Sequence, residues 1–433
     1  MKFQGTAMMA AVFLSLGLYY FFVDLPAGQK EEAEKERSEK ILPLEVEQVL
    51  EFSLTGTGDP IALKRKAPHS WKLIRPLSAS GDSAEVETFL SEIENLKKTR
   101  VVEENPNDLS IYGLGAPLLK IHFKFENKKE ETLLFGDESP MGGNLYIKRE
   151  SHPAVMMAPA SRSQFEKSVY NFRDKTLLNF STGTIKHIQI ISEKKNLELK
   201  KKGEVWEISG DVDAQGDKDA IMNFLQSIQF SRVREFVDEN PDSLEPYGLN
   251  PPALKLILES EQGEIHTLYL GNPKGEKGYF GKINDSKNIV LVDPKLFDAL
   301  SQKAVEFLDK TLLAFEEKEI LELSLRSKNE TLRMVRGESN HWDILSPVKT
   351  TADLSTINSL LFDLKEARIA EFIKISLDIP KTFGLDAPRK SFSLKMKDGK
   401  TWTLQLGNQR WSAGIRQPKR RVNRVFNFKR SGQ

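Results

Sequence analysis

Residues 70–76 read Ser-Trp-Lys-Leu-Ile-Arg-Pro, and the pattern returns as Val-Trp-Glu-Ile at 205–208 and as His-Trp-Asp-Ile-Leu-Ser-Pro at 341–347. The three tryptophans, Trp71, Trp206 and Trp342, stand 135 and 136 residues apart. Their surroundings keep the same offsets. Tyr112-Gly113-Leu114 recurs as Tyr247-Gly248-Leu249 and as Phe383-Gly384-Leu385, followed by Pro117, Pro252 and Pro388, and Gly136, Gly271 and Gly407 stay in register. Between the first two copies the match extends to Asp174-Lys175-Thr176-Leu177-Leu178 with Phe180, repeated as Asp309-Lys310-Thr311-Leu312-Leu313 with Phe315; the third copy stops before that point. A period this long exceeds that of solenoids and makes each copy a small domain. The 433 residues, 39% of them hydrophobic, supply about three cores of ordinary size.

Within each copy the hydrophobic period changes from strand to helix. Leu44 to Thr55, Pro60 to Arg65 and the Trp71 segment alternate as half-buried strands do. Val86, Phe89, Leu90 and Ile93 then fall at helical spacing, and the same face recurs as Ile221, Phe224, Leu225 and Ile228 and as Ile357, Leu360, Leu361 and Leu364. Asp82, Asp217 and Asp353 stand just before these helices, where a carboxylate accepts from free N–H groups and complements the helix dipole, so they read as caps before catalytic acids. Beyond the Tyr/Phe-Gly-Leu element come hairpin-spaced strands, Leu118 to Phe125 or Leu254 to Glu259 and then a strand ending at Gly136 or Gly271. The tryptophans read as packing residues against a wall rather than ligand platforms, and the recurring glycine as a position whose backbone torsion a Cβ would obstruct.

The N-terminus points to a membrane. Thr6 to Val23 contains no charge, and 18 residues at about 1.5 Å each reach about 27 Å, the thickness of a hydrocarbon core. Lys2 before it and Tyr19 and Tyr20 near its far end predict an uncleaved, single-pass anchor with the bulk of the chain outside the cytoplasm, since Val23 to Ala27 offers no small-x-small cleavage site. Pro26 and Gly28 are expected to end the helix, and the charged run Gln29 to Lys40 to form a stalk or linker. The expected class is α+β: an N-terminal transmembrane helix (1–28), a charged stalk (29–43), and three tandem α+β repeats with mainly antiparallel sheets at 44–180, 181–315 and 316–407, the last incomplete, before a basic tail at 408–433.

Several chemistries lack their residues. Lys plus Arg at 63 against Asp plus Glu at 62 leaves a net charge of +1, so no general basic field draws nucleic acid. Zero cysteines exclude disulfides, thiolate metal sites, a cysteine nucleophile and a lipidated cysteine. His69, His122, His152, His187, His266 and His341 occupy no equivalent positions and form no i, i+4 pair for zinc. No Gly-x-Ser-x-Gly elbow surrounds Ser139 or Ser161. The stretch Gly271 to Gly278 with Gly281-Lys282 fails as a phosphate loop, because five residues separate Gly275 from Gly281 and Ile283 follows the lysine. Glu103-Glu104 and Asp238-Glu239 sit at related places after the helices and read as solvated loops rather than acid/base pairs. No cofactor or metal is expected.

After Asn408 the composition turns basic, with Arg416, Lys419, Arg420, Arg421 and Arg424 and no Asp or Glu. These residues could contact lipid headgroups or acidic wall polymer; the simpler expectation is a third copy that has lost its closing strand and helix.

The ordered set Trp-x-Leu/Ile-x-x-Pro, amphipathic helix, Tyr-Gly-Leu-x-x-Pro, Leu-x-x-Gly and Arg173-Asp174-Lys175-Thr176-Leu177-Leu178 resembles the bacterial family known as domain of unknown function 4340. The resemblance implies a membrane-anchored extracytoplasmic protein, similar to auxiliary components of gliding-motility-type ABC transporters. The function expected is therefore that of a non-enzymatic scaffold or accessory subunit of an envelope transport complex in the bacterial inner membrane, with protein partners. The alternative is a glycan- or wall-polymer-binding module, suggested by Tyr146 and Tyr279 and the basic tail.

Overall fold

The computed structural model describes residues 8–9, 13–14, 16, 18–56, 58–210, 213–327, 330–338, 341–370, 381, 383–410 and 423–431. Strands dominate. They form three antiparallel sheets of nine, nine and seven strands, one for each copy. In the first sheet the order from edge to edge is Ala79–Ser80, Ser70–Arg75, Ile61–Ala67, Val49–Thr55, Leu119–Phe125, Glu130–Glu138, Leu145–Arg149, Val155–Ala158 and Arg100–Glu103. Two meanders thus meet at the central pair, Val49–Thr55 against Leu119–Phe125. The third copy repeats this with Ile320–Ser327 against Lys390–Met396, and the second with Ile185–Ser192 against Leu254–Ser260.

Residue contacts divide the chain into two compact units, the first made of residues 1–179, 230–250 and 272–294 and the second of 180–229, 251–271 and 295–433. The strands of the second copy therefore fall in both. Val233–Asp238, Tyr279–Ile283 and Ile289–Val292 lie in the first unit, and Ile185–Ser192 with its neighbours in the second.

Alternation explains the sheets. Leu254, Leu256 and Leu258 are buried while Lys255, Ile257 and Glu259 are only half-buried, as a sheet with one well-covered face requires. The cover is the expected helix. Ser83–Glu94 buries Val86, Phe89, Leu90 and Ile93 completely, each such side chain contributing about 1.5–3 kcal/mol. Val155–Ala158 serves both faces of its sheet: Met156 and Ala158 enter the main core, and Val155 enters a smaller cluster with Leu114 and Leu134 built on the Tyr-Gly-Leu turn.

The structure corrects the expected class in two respects. Among the described residues no helix is long and apolar enough to cross a membrane. A π-helical turn at Tyr20–Asp24 leads into a helix at Leu25–Glu39 that is rich in Lys and Glu, and Pro26 and Gly28 lie inside that helix instead of ending it. Pro26 follows directly on the π-helical turn, whose wider hydrogen-bond pattern makes room in the ladder for a residue without an N–H. The weight of the fold also lies in its sheets, and the third copy continues beyond Gly407. Thr401–Arg410 runs through that glycine and pairs with Asn423–Ser431, so part of the supposed tail is a strand.

The boundaries of the copies shift as well. The segment Asp174–Leu178 is an extended strap across two copies. Asp174 N–H donates to Ser80 O (3.0 Å) in the first, and Val233 N–H donates to Lys175 O (2.8 Å) in the second. Asp309–Leu313 repeats this with Gln215 (3.0 Å) and Ile369 (2.7 Å). Glu39-Lys40-Ile41-Leu42 takes the same place before the first copy: Ile41 N–H donates to Leu96 O (2.9 Å), Lys98 N–H to Glu39 O (2.8 Å), and Ile41, Leu42 and Leu44 are buried in the first core. The end of the expected stalk is therefore core, and each strap opens the following copy.

Candidate functional site: a cleft around Trp402

The repeated positions serve the fold. Trp71, Trp206 and Trp342 keep 3%, 4% and 1% of their surface, and the Arg65 and Arg336 guanidinium groups cover Trp71 and Trp342 at 4.4 and 4.9 Å from the ring centres. Asp82 accepts from the Glu85 N–H (3.2 Å), Asp217 from Asp219 and Ala220 (2.9 and 3.0 Å), and Asp353 from the Thr356 N–H and hydroxyl (both 2.7 Å). The Thr356 hydroxyl, then its amide, holds the Asp353 carboxyl below its ordinary value, as a cap should.

Gly113, Gly248 and Gly384 adopt φ of 67°, 65° and 68°, each with the side chain of Asp137, Asn272 or Asn408 pressed where a Cβ would stand. Tyr112 and Tyr247 donate their hydroxyls to Glu103 (2.7 Å) and Asp238 (2.8 Å), which raises both phenol pKa values, opposite to what an activated phenolate needs. Glu103, Asp238 and Glu239 are thus structural acceptors, since Glu239 in turn binds Arg173. Tyr146 is half-buried against Tyr112, 5.1 Å between ring centres, and Tyr279 is half-buried in its strand, so neither is the open aromatic platform expected. Arg424 lies in the Asn423–Ser431 strand opposite Gln409; Arg416, Lys419, Arg420 and Arg421 lie outside the described residues. None of these positions converge on one site.

A different set of residues does converge. A cleft of about 560 Å³ lies in the second unit where the strap Thr311–Phe315 passes the third copy. Its floor is Leu313, Phe315, Met396 and the half-buried ring of Trp402. The hairpin that carries Trp402 is fixed by Met396 N–H to Lys400 O (2.8 Å), by Gly399 N–H to Met396 O (3.0 Å) with φ of 84° at Gly399, and by Lys397 N–H to Glu319 O (2.8 Å). Around the rim, Asp398 pairs with Lys400, the Arg368 guanidinium reaches Glu366 at 3.8 Å, and Glu316, Glu319 and Lys365 complete the ring. An aromatic floor with donors and acceptors of both signs suits an extended amphipathic ligand. The lining carries the carboxylates of Glu316, Glu319, Glu366 and Asp398, the ammonium groups of Lys365 and Lys400 and the hydroxyl of Thr311, and no imidazole. Among the described residues no group of three His, Asp or Glu could hold a metal ion.

Sequence reasoning passed over Trp402 because no tryptophan stands at its counterparts, His266 and Glu131. Sequence reasoning assigned the strap before the first copy to the stalk, although Glu39 to Leu42 lie 135 residues before Asp174 to Leu177, the offset between the copies.

No curated protein matches the chain. The profile described as Domain of unknown function (DUF4340) matches residues 71–211 and 206–388. Each match opens on one of the repeated tryptophans and together they cover most of the sequence; the chain belongs to this family.

Proposed function

We propose that this chain is a non-enzymatic contact protein of the bacterial cell envelope, an accessory subunit of an ABC-type transport complex with its sheets on the extracytoplasmic side. The observation that carries this reading is the commitment of the repeated polar positions to the fold: the aspartates cap, the tyrosine hydroxyls bind neighbouring carboxylates, and surface contact is the task left to three linked copies. A second support is the exposure of Met8, Met9, Phe13, Leu14, Leu16, Leu18, Tyr19, Tyr20, Phe21 and Phe22, each more than half accessible, which is far more apolar surface than an isolated soluble chain presents in one segment. Purification from envelopes in mild detergent, with the full chain and with a variant lacking residues 1–28, tests this. Recovery of a permease or ATPase with the full chain and its loss with the shortened one is expected; a lone monomer in both cases overturns the proposal.

A second reading is a module that binds a glycan or wall polymer, supported by the acids and cations at the rim of the Trp402 cleft, which can take sugar hydroxyls. Retention of the chain by insoluble wall polymer, abolished by Trp402→Ala, would support this reading over the first.

A further inference from the structure

The first two copies hold opposite charges at one hairpin position. In the second copy, the hairpin that joins Ile185–Ser192 to Lys195–Lys202 carries Lys195. Its ammonium donates to Leu300 O (3.3 Å), at the end of the helix Pro294–Leu300, and to Gln302 O just beyond. The first copy has Asp59 there. Strand pairing fixes the correspondence: Leu54 pairs with Ile61 and Ile190 with Leu197, leaving residues 55–60 and 191–196 between them, and Asp59 and Lys195 are each the fifth.

The carbonyls that Lys195 reaches have counterparts 135 residues earlier, Phe165 O and Lys167 O. The main chain there follows the same course. Glu166 N–H donates to Arg162 O (3.1 Å) as Ser301 N–H does to Phe297 O (2.9 Å), and Asn171 N–H to Ser168 O (3.1 Å) as Glu306 N–H does to Lys303 O (3.0 Å). Among the described residues neither first-copy carbonyl has a donor, and the exposed Asp59 carboxylate has no hydrogen bond or ion pair. A pocket of about 500 Å³ lies here, with Asp59, Leu118, Glu166, Lys167, Val169 and Tyr170 in its lining. Leu118 and Tyr170 remain exposed. Glu166 is paired with Arg162 (2.9 Å) and Lys167 with Glu85 (3.3 Å), which leaves Asp59 as the uncompensated charge among these residues.

We propose that this pocket binds a primary ammonium group on an aliphatic stem, the chemistry shared by a free alkyl diamine and a lysine side chain. The second copy supplies that group from its own hairpin. An ammonium has three N–H donors and no acceptor, so one such group satisfies both carbonyls and a carboxylate, while its stem lies on apolar wall such as Leu118 and Val169. The Asp59 carboxylate cannot donate to the carbonyls, but it supplies the countercharge that an incoming ammonium requires. The inference is independent of the envelope assignment, because it rests on a difference between two copies of one chain.

The test is isothermal titration of the full chain, in mild detergent, with cadaverine and with acetyl-lysine methylamide; the tighter of the two tells a free diamine from a lysine side chain. Saturable binding at millimolar or lower concentration is expected for at least one amine, and none for pentanol, which has the stem without the charge. Asp59→Asn should weaken binding by about tenfold, as for the loss of one charge-assisted contact. Asp59→Lys, which restores the arrangement of the second copy, should abolish it with unchanged circular dichroism. No saturation with either amine, equal binding of pentanol, or undiminished binding by either variant overturns the proposal.

Discussion

The Arg173 guanidinium lies 3.5 Å from the centre of the Phe236 ring and also forms a two-pronged pair with Glu239, with Nη2 at 3.0 Å from Oε2. Arg173 immediately precedes the strap Asp174–Leu178 and is only 7% exposed, while Phe236 and Glu239 follow the second repeat helix. A planar cation thus closes the joint by stacking and by charge together. Arg173→Ala should cost about 2 kcal/mol in chemical denaturation, and Arg173→Lys should recover little, because an ammonium neither stacks nor forks. Glu239→Ala should cost less, its carboxylate being partly solvated.

Trp206→Ala should be among the most damaging core changes. The side chain is 4% exposed on a strand paired with both neighbours, so truncation leaves a cavity and costs about 3–5 kcal/mol. Thermal unfolding followed by far-ultraviolet circular dichroism measures this, and a loss below about 1 kcal/mol would show that the position is not core.

Glu131 supplies a pH dependence. Burial acts on it most strongly and in the raising direction, yet the Ser151 hydroxyl, the Arg149 guanidinium at 2.7 and 3.0 Å and the Ser151 amide at 3.3 Å together hold the carboxyl below its ordinary value of 4.5. A depressed folded pKa stabilises fully above the unfolded value and is lost as pH falls through the folded one. Glu131→Gln should therefore lower stability at neutral pH by about 2 kcal/mol and flatten its decline below about pH 4.5, measured by urea denaturation across pH.

Gly248→Ala tests the recurring turn. At φ of 65°, with the Asn272 side chain where a Cβ would stand, the substitution forces a left-handed alanine into occupied space and should cost about 1–3 kcal/mol. Gly263→Ala is the control, since φ is 84° there but nothing lies within 4 Å of the added Cβ, and its cost should be the torsional part alone.

The repeat helices were legible because their burial follows from local spacing: Val86, Phe89, Leu90 and Ile93 share one face of any helix that contains them. The caps were legible for the same reason, an aspartate needing only the next turn to find its donors. The N-terminal stretch shows the limit of composition. Eighteen uncharged residues satisfy the length of a span, but among the described residues no helix is long and apolar enough to cross a membrane, and residues 6–7, 10–12, 15 and 17 of that stretch lie outside them.

By itself the sequence determined that there are three copies, that each sheet bears one amphipathic helix, and that Trp71, Trp206 and Trp342 face inward, because each of these depends on spacing within a few residues or on the offset between copies. Only the tertiary structure decided that the Asp-Lys-Thr-Leu-Leu segments are straps opening the next copy and that Trp402 lines a cleft with Leu313. Those features are made by groups far apart in the chain, Asp174 with Ser80 or Trp402 with Leu313, and a contact between distant residues is fixed by how the layers pack and not by the pattern of either segment alone.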